Sequence, residues 1–204
     1  IVSQVVVDKN DPSMQNPTKY VGSTYYSAEQ AEELKKSLGW TLKEDSGKGF
    51  RRVVPSPMPI EIIPAETINE LVHQGEIVIA VGGGGIPVYR EANGALEGVD
   101  AVIDKDFASA LLALNIKADL FVILTGVDKV SINYGKPEQQ DLEVMTVAEA
   151  QKHYNDKQFP AGSMGPKILA AIDFLKRGGS EVLITSIEKI VDAFEGKTGT
   201  RIVH

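Results

Sequence analysis

The chain has 204 residues, of which 43% are apolar and 24% are charged, a composition typical of a globular protein that can bury a core. Its net charge of −7 argues against a nucleic-acid-binding surface, and the absence of cysteine excludes disulfides and thiolate metal sites. No apolar run approaches the length of a membrane span and no signal peptide is present, which predicts a cytoplasmic protein without a membrane partner.

The first part of the chain predicts a buried strand and then a helix. Residues 2–7 are mostly apolar and β-branched, which indicates a strand. Ser27 and Gln30 have the spacing of a capping box, and Gly39 is a typical residue at a helix end. We therefore expect a helix that begins after Ser27 and ends at Gly39.

This helix and a following hairpin form a small inserted substructure, residues 19–54. The hairpin is predicted from two strands, residues 40–42 and 50–54, and from the loop that joins them, residues 45–49. Lys48, Arg51 and Arg52 make the substructure locally basic. Two interpretations stay open: solvated charge on a surface hairpin, or a lid over an anionic ligand. The residues alone favour the surface hairpin.

The rest of the chain alternates strands and helices. Apolar runs predict buried strands at residues 77–81, 120–124 and 182–185, and an edge strand at residues 200–203. Helices are predicted at residues 65–74, 104–116 and 166–176, the last with Pro166 at its first position. Strands that alternate with helices, and that are continuously apolar, predict an α/β fold with a mainly parallel sheet covered on both faces.

Four consecutive glycines, Gly82, Gly83, Gly84 and Gly85, follow the predicted strand 77–81. Because glycine has no Cβ, a ligand can approach the backbone N–H groups of this loop directly. Ligands of parallel sheets bind beyond the carboxyl ends of the strands, where this loop would meet the turn 125–128 and the loop before Lys167. A glycine run alone favours a flexible turn with surface charges, and Lys105 at the following helix start is what shifts the interpretation toward an anion site.

Two lysines, Lys105 and Lys167, each lie at the N-terminal end of a predicted helix. The helix dipole favours cations at the other end, so the positions of Lys105 and Lys167 need an explanation. Either lysine alone is best explained as a surface side chain. Both together, beside the tetraglycine loop, favour phosphoryl transfer, in which catalysis is mostly positioning and charge neutralisation. Asp106 could align the two lysines by ion pairing.

Seven stretches of the chain together resemble the carbamate kinases, of the amino-acid-kinase superfamily. They run from one end of the sequence to the other, at residues 3–8, 16–19, 52–57, 82–88, 97–106, 135–137 and 162–167. The resemblance implies a three-layer α/β/α sandwich with a mainly parallel central sheet. Residues 1–204 would form the C-terminal two-thirds of that domain, and residues 19–54 a small protruding α+β subdomain that acts as a lid.

The resemblance also implies an activity and its partners. Carbamate kinases are homodimers that transfer a phosphoryl group reversibly between ATP, bound with Mg²⁺, and carbamate. In arginine fermentation the reaction runs from carbamoyl phosphate and ADP toward ATP. No residue of the chain is predicted to be a metal ligand.

Residue roles follow from the same resemblance. Lys105, Lys167 and Asp106 match the catalytic positions of the family. The tetraglycine loop and Lys19 match positions that bind the small substrate. Contacts to the nucleotide are implied for both catalytic lysines and for a further group, namely Thr125, Gly126, Val127, Asp128, Met164 and Gly165.

The chain departs from this family at its start. It begins with Ile1, and roughly the first third of the family's pattern, with a glycine-rich phosphate loop and interface helices, is absent. If this is the whole polypeptide, we expect an inactive and poorly stable protein with an exposed sheet edge. Two alternatives stay open: a related amino-acid kinase such as acetylglutamate kinase, and an inactive nucleotide-binding fragment.

Overall fold

The computed structural model describes residues 1–45 and 47–204, and Ser46 of the predicted loop 45–49 lies outside the described residues. The helices are α1 (Ala28–Leu38), α2 (Ala65–His73), α3 (Lys105–Asn115), α4 (Val147–Asn155), α5 (Met164–Lys176) and α6 (Ile190–Phe194). The strands are β1 (Gln4–Val7), β2 (Lys19–Tyr20), β3 (Thr41–Glu44), β4 (Phe50–Val54), β5 (Pro59–Ile62), β6 (Ile86–Arg90), β7 (Leu96–Gly98), β8 (Phe121–Thr125), β9 (Val130–Ile132), β10 (Gln140–Leu142), β11 (Val144–Thr146), β12 (Val182–Ser186) and β13 (Thr200–Val203). A short 3₁₀ helix, Pro12–Met14, follows β1.

The chain divides into two compact units. The first unit contains Ile1–Ile63 and Ala80–Lys105, and the second contains Pro64–Ile79 and Asp106–His204. Strands β1 to β7 belong to the first unit and β8 to β13 to the second. Each unit has a four-stranded sheet with both parallel and antiparallel pairs, and the predicted α/β class is confirmed.

The main sheet of the first unit has the order β5-β1-β6-β7. Strand β1 runs parallel to β6 and antiparallel to β5. Val5 and Val7 of β1, Ile62 of β5 and Val88 of β6 are all buried, and each such side chain stabilises the unit by about 2 kcal/mol. Because β6 begins directly after the tetraglycine loop, this apolar packing fixes one end of the loop.

Residues 19–54 contain α1 and the three-stranded sheet β2-β4-β3, which includes the predicted hairpin. The predicted capping box is present, since Ser27 Oγ accepts from the Gln30 N–H and the Gln30 side chain accepts from the Ser27 N–H. Gly39 ends the helix with a φ of +66°. Strand β2 was not predicted, because two residues show no periodicity, yet its pairing with β4 fixes the backbone of Lys19.

Residues 77–81 do not form the buried strand that their apolar sequence predicts. No strand in the described part of the chain pairs with them, and the side chains of Ile77 and Ile79 are 97% and 83% exposed. Apolar, β-branched composition is only half of what a strand requires, because its backbone N–H and C=O groups also need neighbours at its edges. The prediction is therefore wrong for this segment, where only Val81 is buried, and the tetraglycine loop follows an irregular stretch.

The main sheet of the second unit has the order β11-β13-β12-β8. All five residues of β12 are buried, and β12 runs parallel to β8 and antiparallel to β13. Strand β13 is therefore an interior strand, and its prediction as an edge strand is wrong. Its second neighbour is β11, which has three residues and is too short for its sequence to reveal. Thr125 is the last residue of β8, so the following turn lies at the carboxyl end of this strand.

Helices pack against this sheet in the second unit. Ile168, Phe174 and Leu175 of α5 are buried in the same apolar cluster as Val182 of β12. Helix α5 begins at Met164 rather than at Pro166, which still lies in the first turn, where backbone N–H groups have no partner within the helix. Helix α4 has the capping box of Thr146 and Glu149. In the part of the chain that the structure describes, no helix is long and apolar enough to cross a membrane.

Candidate functional site

The tetraglycine loop lies in the first unit, and two of its glycines are required by the local geometry. Gly84 and Gly85 have φ angles of +124° and +85°, in the region that glycine adopts without strain. A Cβ on Gly84 would lie 2.1 Å from the carbonyl oxygen of Ile103, and a Cβ on Gly85 would lie 2.5 Å from Val5 Cγ2. The loop is therefore packed in place and is not the flexible turn that a glycine run alone would indicate.

The other two glycines border open space. Gly82 and Gly83 line a cavity of about 290 Å³, and a Cβ on either would meet nothing within 4 Å. Val81, directly before them, has a φ of +48°, which is strained for a β-branched residue, and its N–H donates to Ser3 Oγ at 3.1 Å. Backbone strain of this kind is concentrated at functional sites. The geometry leaves room for a small ligand at the backbone of Gly82 and Gly83.

The lysine nearest in sequence to this loop, Lys105, is the first residue of α3 and is exposed. The predicted substrate-binding lysine, Lys19, is placed by a contact within the first unit. Its Nζ donates to Asp104 Oδ2 at 2.6 Å, and the side chains of Lys19 and Asp104 are 35% and 12% exposed. The sequence assigns Asp104 no defined role, and its contact with Lys19 spans 85 residues of sequence, so local patterns could not reveal it.

In the second unit, Lys167 and Asp106 form a buried ion pair. Lys167 Nζ lies 3.2 Å from Oδ1 and 2.9 Å from Oδ2 of Asp106, and the two side chains are 12% and 9% exposed. Asp106 is in the first turn of α3 and Lys167 in the first turn of α5. A buried ion pair is costly to form and seldom adds stability, so its presence favours a functional role.

In the same unit, the turn that follows β8 borders a cavity of about 230 Å³. Four of the residues predicted to contact a nucleotide line it, namely Thr125, Gly126, Val127 and Met164. Met164 is the first residue of α5 and Lys167 lies three residues later, about 5 Å further along the helix axis. The backbone of Lys167 is thus within one helical turn of a residue that lines the cavity.

Two other predicted nucleotide contacts have different surroundings. Asp128 accepts a hydrogen bond from Ser186 Oγ at 2.6 Å, which holds the turn to the end of β12. Gly165 is buried, and its N–H donates to the carbonyl oxygen of Pro160 at 2.8 Å. Neither residue lines the 230 Å³ cavity. Both stabilise segments that do.

The sequence did not predict several residues that line the same cavity, including Lys129, Ser131, Tyr134 and Phe159. They combine an aromatic, apolar wall with a few polar groups, as ligand sites usually do. The hydroxyl of Ser131 donates to Asp141 at 2.7 Å, and this hydrogen bond lowers the pKa of the Asp141 carboxyl. No motif links these positions, because they are brought together only by the fold of residues 125–164.

The predicted site residues are divided between the two units. Lys19, the tetraglycine loop and Lys105 belong to the first, while Asp106, Lys167 and the turn 125–128 belong to the second. The alignment of Lys167 by Asp106 is present as a contact. The predicted meeting of Lys105 with Lys167 concerns residues of different units and stays a prediction.

Residues 1–45 and 47–204 contain no group of three or more acidic or histidine side chains that could hold a metal ion. Mg²⁺ is commonly bound through substrate phosphates together with only one or two carboxylates. A magnesium ion that arrived with a nucleotide would be compatible with these residues, whereas a metal cage built from the described side chains would not.

A family model described as the Amino acid kinase family matches residues 7–186 of the chain. Among curated proteins, a carbamate kinase from Thermococcus kodakarensis is 54% identical over 204 residues, which cover 100% of this chain and 64% of that protein. The carbamate kinase-like protein YahI from Escherichia coli is 50% identical over 204 residues, again 100% of this chain and 64% of that protein.

A solved structure is similarly close. The carbamate kinase from Giardia lamblia bound to AMP-PNP is 45% identical, with a TM-score of 0.89, and the match covers 100% of this chain and 64% of that one. The chain therefore spans slightly less than two-thirds of the length of these similar proteins.

Proposed function

Because the family model covers residues 7–186, this chain belongs to the amino acid kinase family, and we propose that the protein is a carbamate kinase that transfers a phosphoryl group reversibly between ATP and carbamate. The observation that carries the proposal is the buried pair of Lys167 and Asp106, within one helical turn of the cavity beside the turn 125–128. A fixed, largely buried cation close to a cavity suits phosphoryl transfer. The choice of carbamate as the substrate rests on the 54% identity to a protein named carbamate kinase.

The proposed reaction needs positioning more than covalent catalysis. A carbamate oxygen forms a bond to the γ-phosphorus of ATP, the bond from that phosphorus to the β-phosphate oxygen breaks, and ADP leaves. The reverse reaction makes ATP from carbamoyl phosphate and ADP, and neither direction requires a protein group to accept a proton. Lys167 and Lys105 neutralise charge on the phosphoryl oxygens, and Asp106 orients Lys167.

The nucleotide and the small substrate occupy different places in this proposal. The nucleoside binds in the 230 Å³ cavity, against Gly126, Tyr134 and Met164. The carbamate or carbamoyl group binds at the backbone of Gly82 and Gly83 and at the Lys19 ammonium. Mg²⁺ accompanies the nucleotide phosphates and supplies further charge neutralisation when it is bound. The proposal also includes a homodimer, a place in arginine fermentation and a cytoplasmic location, where ATP and ADP are available.

The direct test is formation of ATP from ADP and carbamoyl phosphate by the natural polypeptide that carries this sequence. We expect carbamoyl-phosphate-dependent ATP formation, and a lower kcat/KM when ATP is supplied with N-acetylglutamate than with carbamate. Preferential phosphorylation of N-acetylglutamate would contradict the choice of substrate. Nucleotide binding without any transfer would contradict the activity itself and favour a nucleotide-binding fragment.

The substitution Gly126→Leu is expected to raise the KM for ADP by about tenfold or more, because the cavity then loses room for the nucleoside. Gly126 lines the cavity, its φ is not positive, and a Cβ there meets nothing within 4 Å, so the larger side chain is accepted without backbone strain. Gly98→Leu is the matched control, since Gly98 has the same freedom and lies in β7 of the other unit. An unchanged KM for ADP in Gly126→Leu would exclude this cavity as the nucleotide site.

A further inference from the structure

The contact between Lys19 and Asp104 fixes a flexible cation. Lys19 Nζ donates to Asp104 Oδ2 at 2.6 Å, and the Asp104 side chain is 12% exposed. A buried carboxylate is costly unless it is paired, so the contact with the Lys19 ammonium offsets part of that cost and favours the paired position of the lysine. The Lys19 backbone is held at the same time, since its strand β2 pairs with β4.

The aspartate that holds the ammonium directly follows the residue against which the tetraglycine loop packs. The backbone of Gly84 is packed against the carbonyl group of Ile103, the residue directly before Asp104, because a Cβ on Gly84 would lie 2.1 Å from that oxygen. The Val102 N–H donates to the carbonyl oxygen of Pro55 at 3.0 Å, which ties the same segment to the chain just after β4. Asp104, which holds Lys19, is therefore the next residue in sequence after Ile103, against which the loop is packed.

We infer that Asp104 is a positioning residue, which holds the Lys19 ammonium beside the tetraglycine loop before the small anionic substrate arrives. This inference rests on the proposed function, in which Lys19 and the loop bind that substrate. An ammonium group has three N–H donors, and the bond to Asp104 uses one of them, so Lys19 can bind a substrate oxygen at the same time. Because the long lysine side chain is ordered in advance, substrate binding costs less conformational entropy.

A second ion pair on the same segment provides a matched control. Asp100 accepts a hydrogen bond from Arg52 at 3.3 Å, and Arg52 lies over the ring of Trp40 at 4.6 Å. The Asp100 side chain is 87% exposed, and exposed ion pairs contribute little. Asp100→Ala therefore removes one aspartate from the segment, together with its contact to the small sheet, and leaves Lys19 and Asp104 in contact.

The first experiment measures steady-state kinetics with carbamoyl phosphate and ADP in the natural polypeptide that carries this sequence. Asp104→Ala is expected to raise the KM for carbamoyl phosphate about tenfold and to change the KM for ADP less than about twofold. Asp104→Asn keeps an acceptor oxygen and is expected to raise the KM for carbamoyl phosphate less than Asp104→Ala does. Asp100→Ala is expected to leave this KM unchanged. In a Lys19→Ala background, Asp104→Ala should cause little further rise in the KM for carbamoyl phosphate, since the two residues act as one unit.

Additive effects of Asp104→Ala and Lys19→Ala, or an equal rise in both KM values, would overturn the positioning role.

The second experiment does not require turnover and measures the rise in melting temperature that inorganic phosphate causes. Lys19→Ala should abolish the rise, Asp104→Ala should reduce it, and Asp100→Ala should preserve it. A rise that is absent from the wild type, or equal in Asp104→Ala and the wild type, would overturn the inference, whereas a wild type without ATP formation would contradict the proposed function alone.

Discussion

Replacing Lys167 with alanine is expected to lower kcat for ATP formation from ADP and carbamoyl phosphate about a thousandfold. The Lys167 ammonium contacts both carboxylate oxygens of Asp106, at 2.9 and 3.2 Å, and its side chain is 12% exposed. In sequence, Lys167 follows three residues after Met164, which lines the cavity proposed for the nucleotide. At such a site water cannot replace the lost charge, so the phosphoryl oxygens lose a fixed cation in the transition state. Initial rates of ATP formation measure the effect.

The same substitution leaves Asp106 as a buried carboxylate without its lysine, which is expected to cost about 3 kcal/mol of stability. Lost activity must therefore be separated from a lost fold. The double variant Lys167→Met with Asp106→Asn removes both charges and should recover stability while kcat stays low. Lys176→Ala is the control on the same helix, because Lys176 is exposed and its Nζ donates to Gln151 at 2.9 Å. A kcat of Lys167→Ala close to that of the wild type would contradict the proposed role.

Local signals in the sequence predicted those parts of the fold that local interactions determine. The capping box at Ser27 and the left-handed glycine at Gly39 each satisfy backbone groups within a few residues, so their spacing alone locates the helix ends. Apolar runs located β8 and β12 for a similar reason, since both lie in a sheet whose interior is mainly apolar. In these cases the sequence pattern and the tertiary environment require the same residues.

The segment 77–81 shows where such patterns fail. Its residues are suited to a strand, but a strand also depends on neighbours that hydrogen-bond to it, and these are set by parts of the chain far away in sequence. The same limit applies to the cavity, where Tyr134 and Phe159 come together with Gly126 only through the fold. Residue type and helix position identified Lys167 as a candidate, but no spacing rule could establish its contact with Asp106, which lies 61 residues away in sequence.

Replacing Gly84 with alanine is expected to lower the free energy of unfolding by about 3 kcal/mol or more. The added Cβ would lie 2.1 Å from the carbonyl oxygen and 2.9 Å from the carbonyl carbon of Ile103, and both atoms are backbone that cannot rotate away. The φ of Gly84, +124°, is also one that alanine adopts only with strain. Urea unfolding of the natural polypeptide that carries this sequence measures the change.

The matched control is the preceding residue. Gly83→Ala adds the same methyl group to the same loop, where φ is not positive and nothing lies within 4 Å, so the free energy of unfolding should change by less than about 1 kcal/mol. The two variants also separate two functions of the loop. Gly84→Ala should affect stability and activity together, because it displaces Ile103 and with it the adjoining Asp104, whereas Gly83→Ala should affect only the KM for carbamoyl phosphate, since Gly83 lines the cavity proposed for that substrate. Equal loss of stability in both variants would mean that the loop is held by its whole backbone and not by the close approach of Gly84 to Ile103.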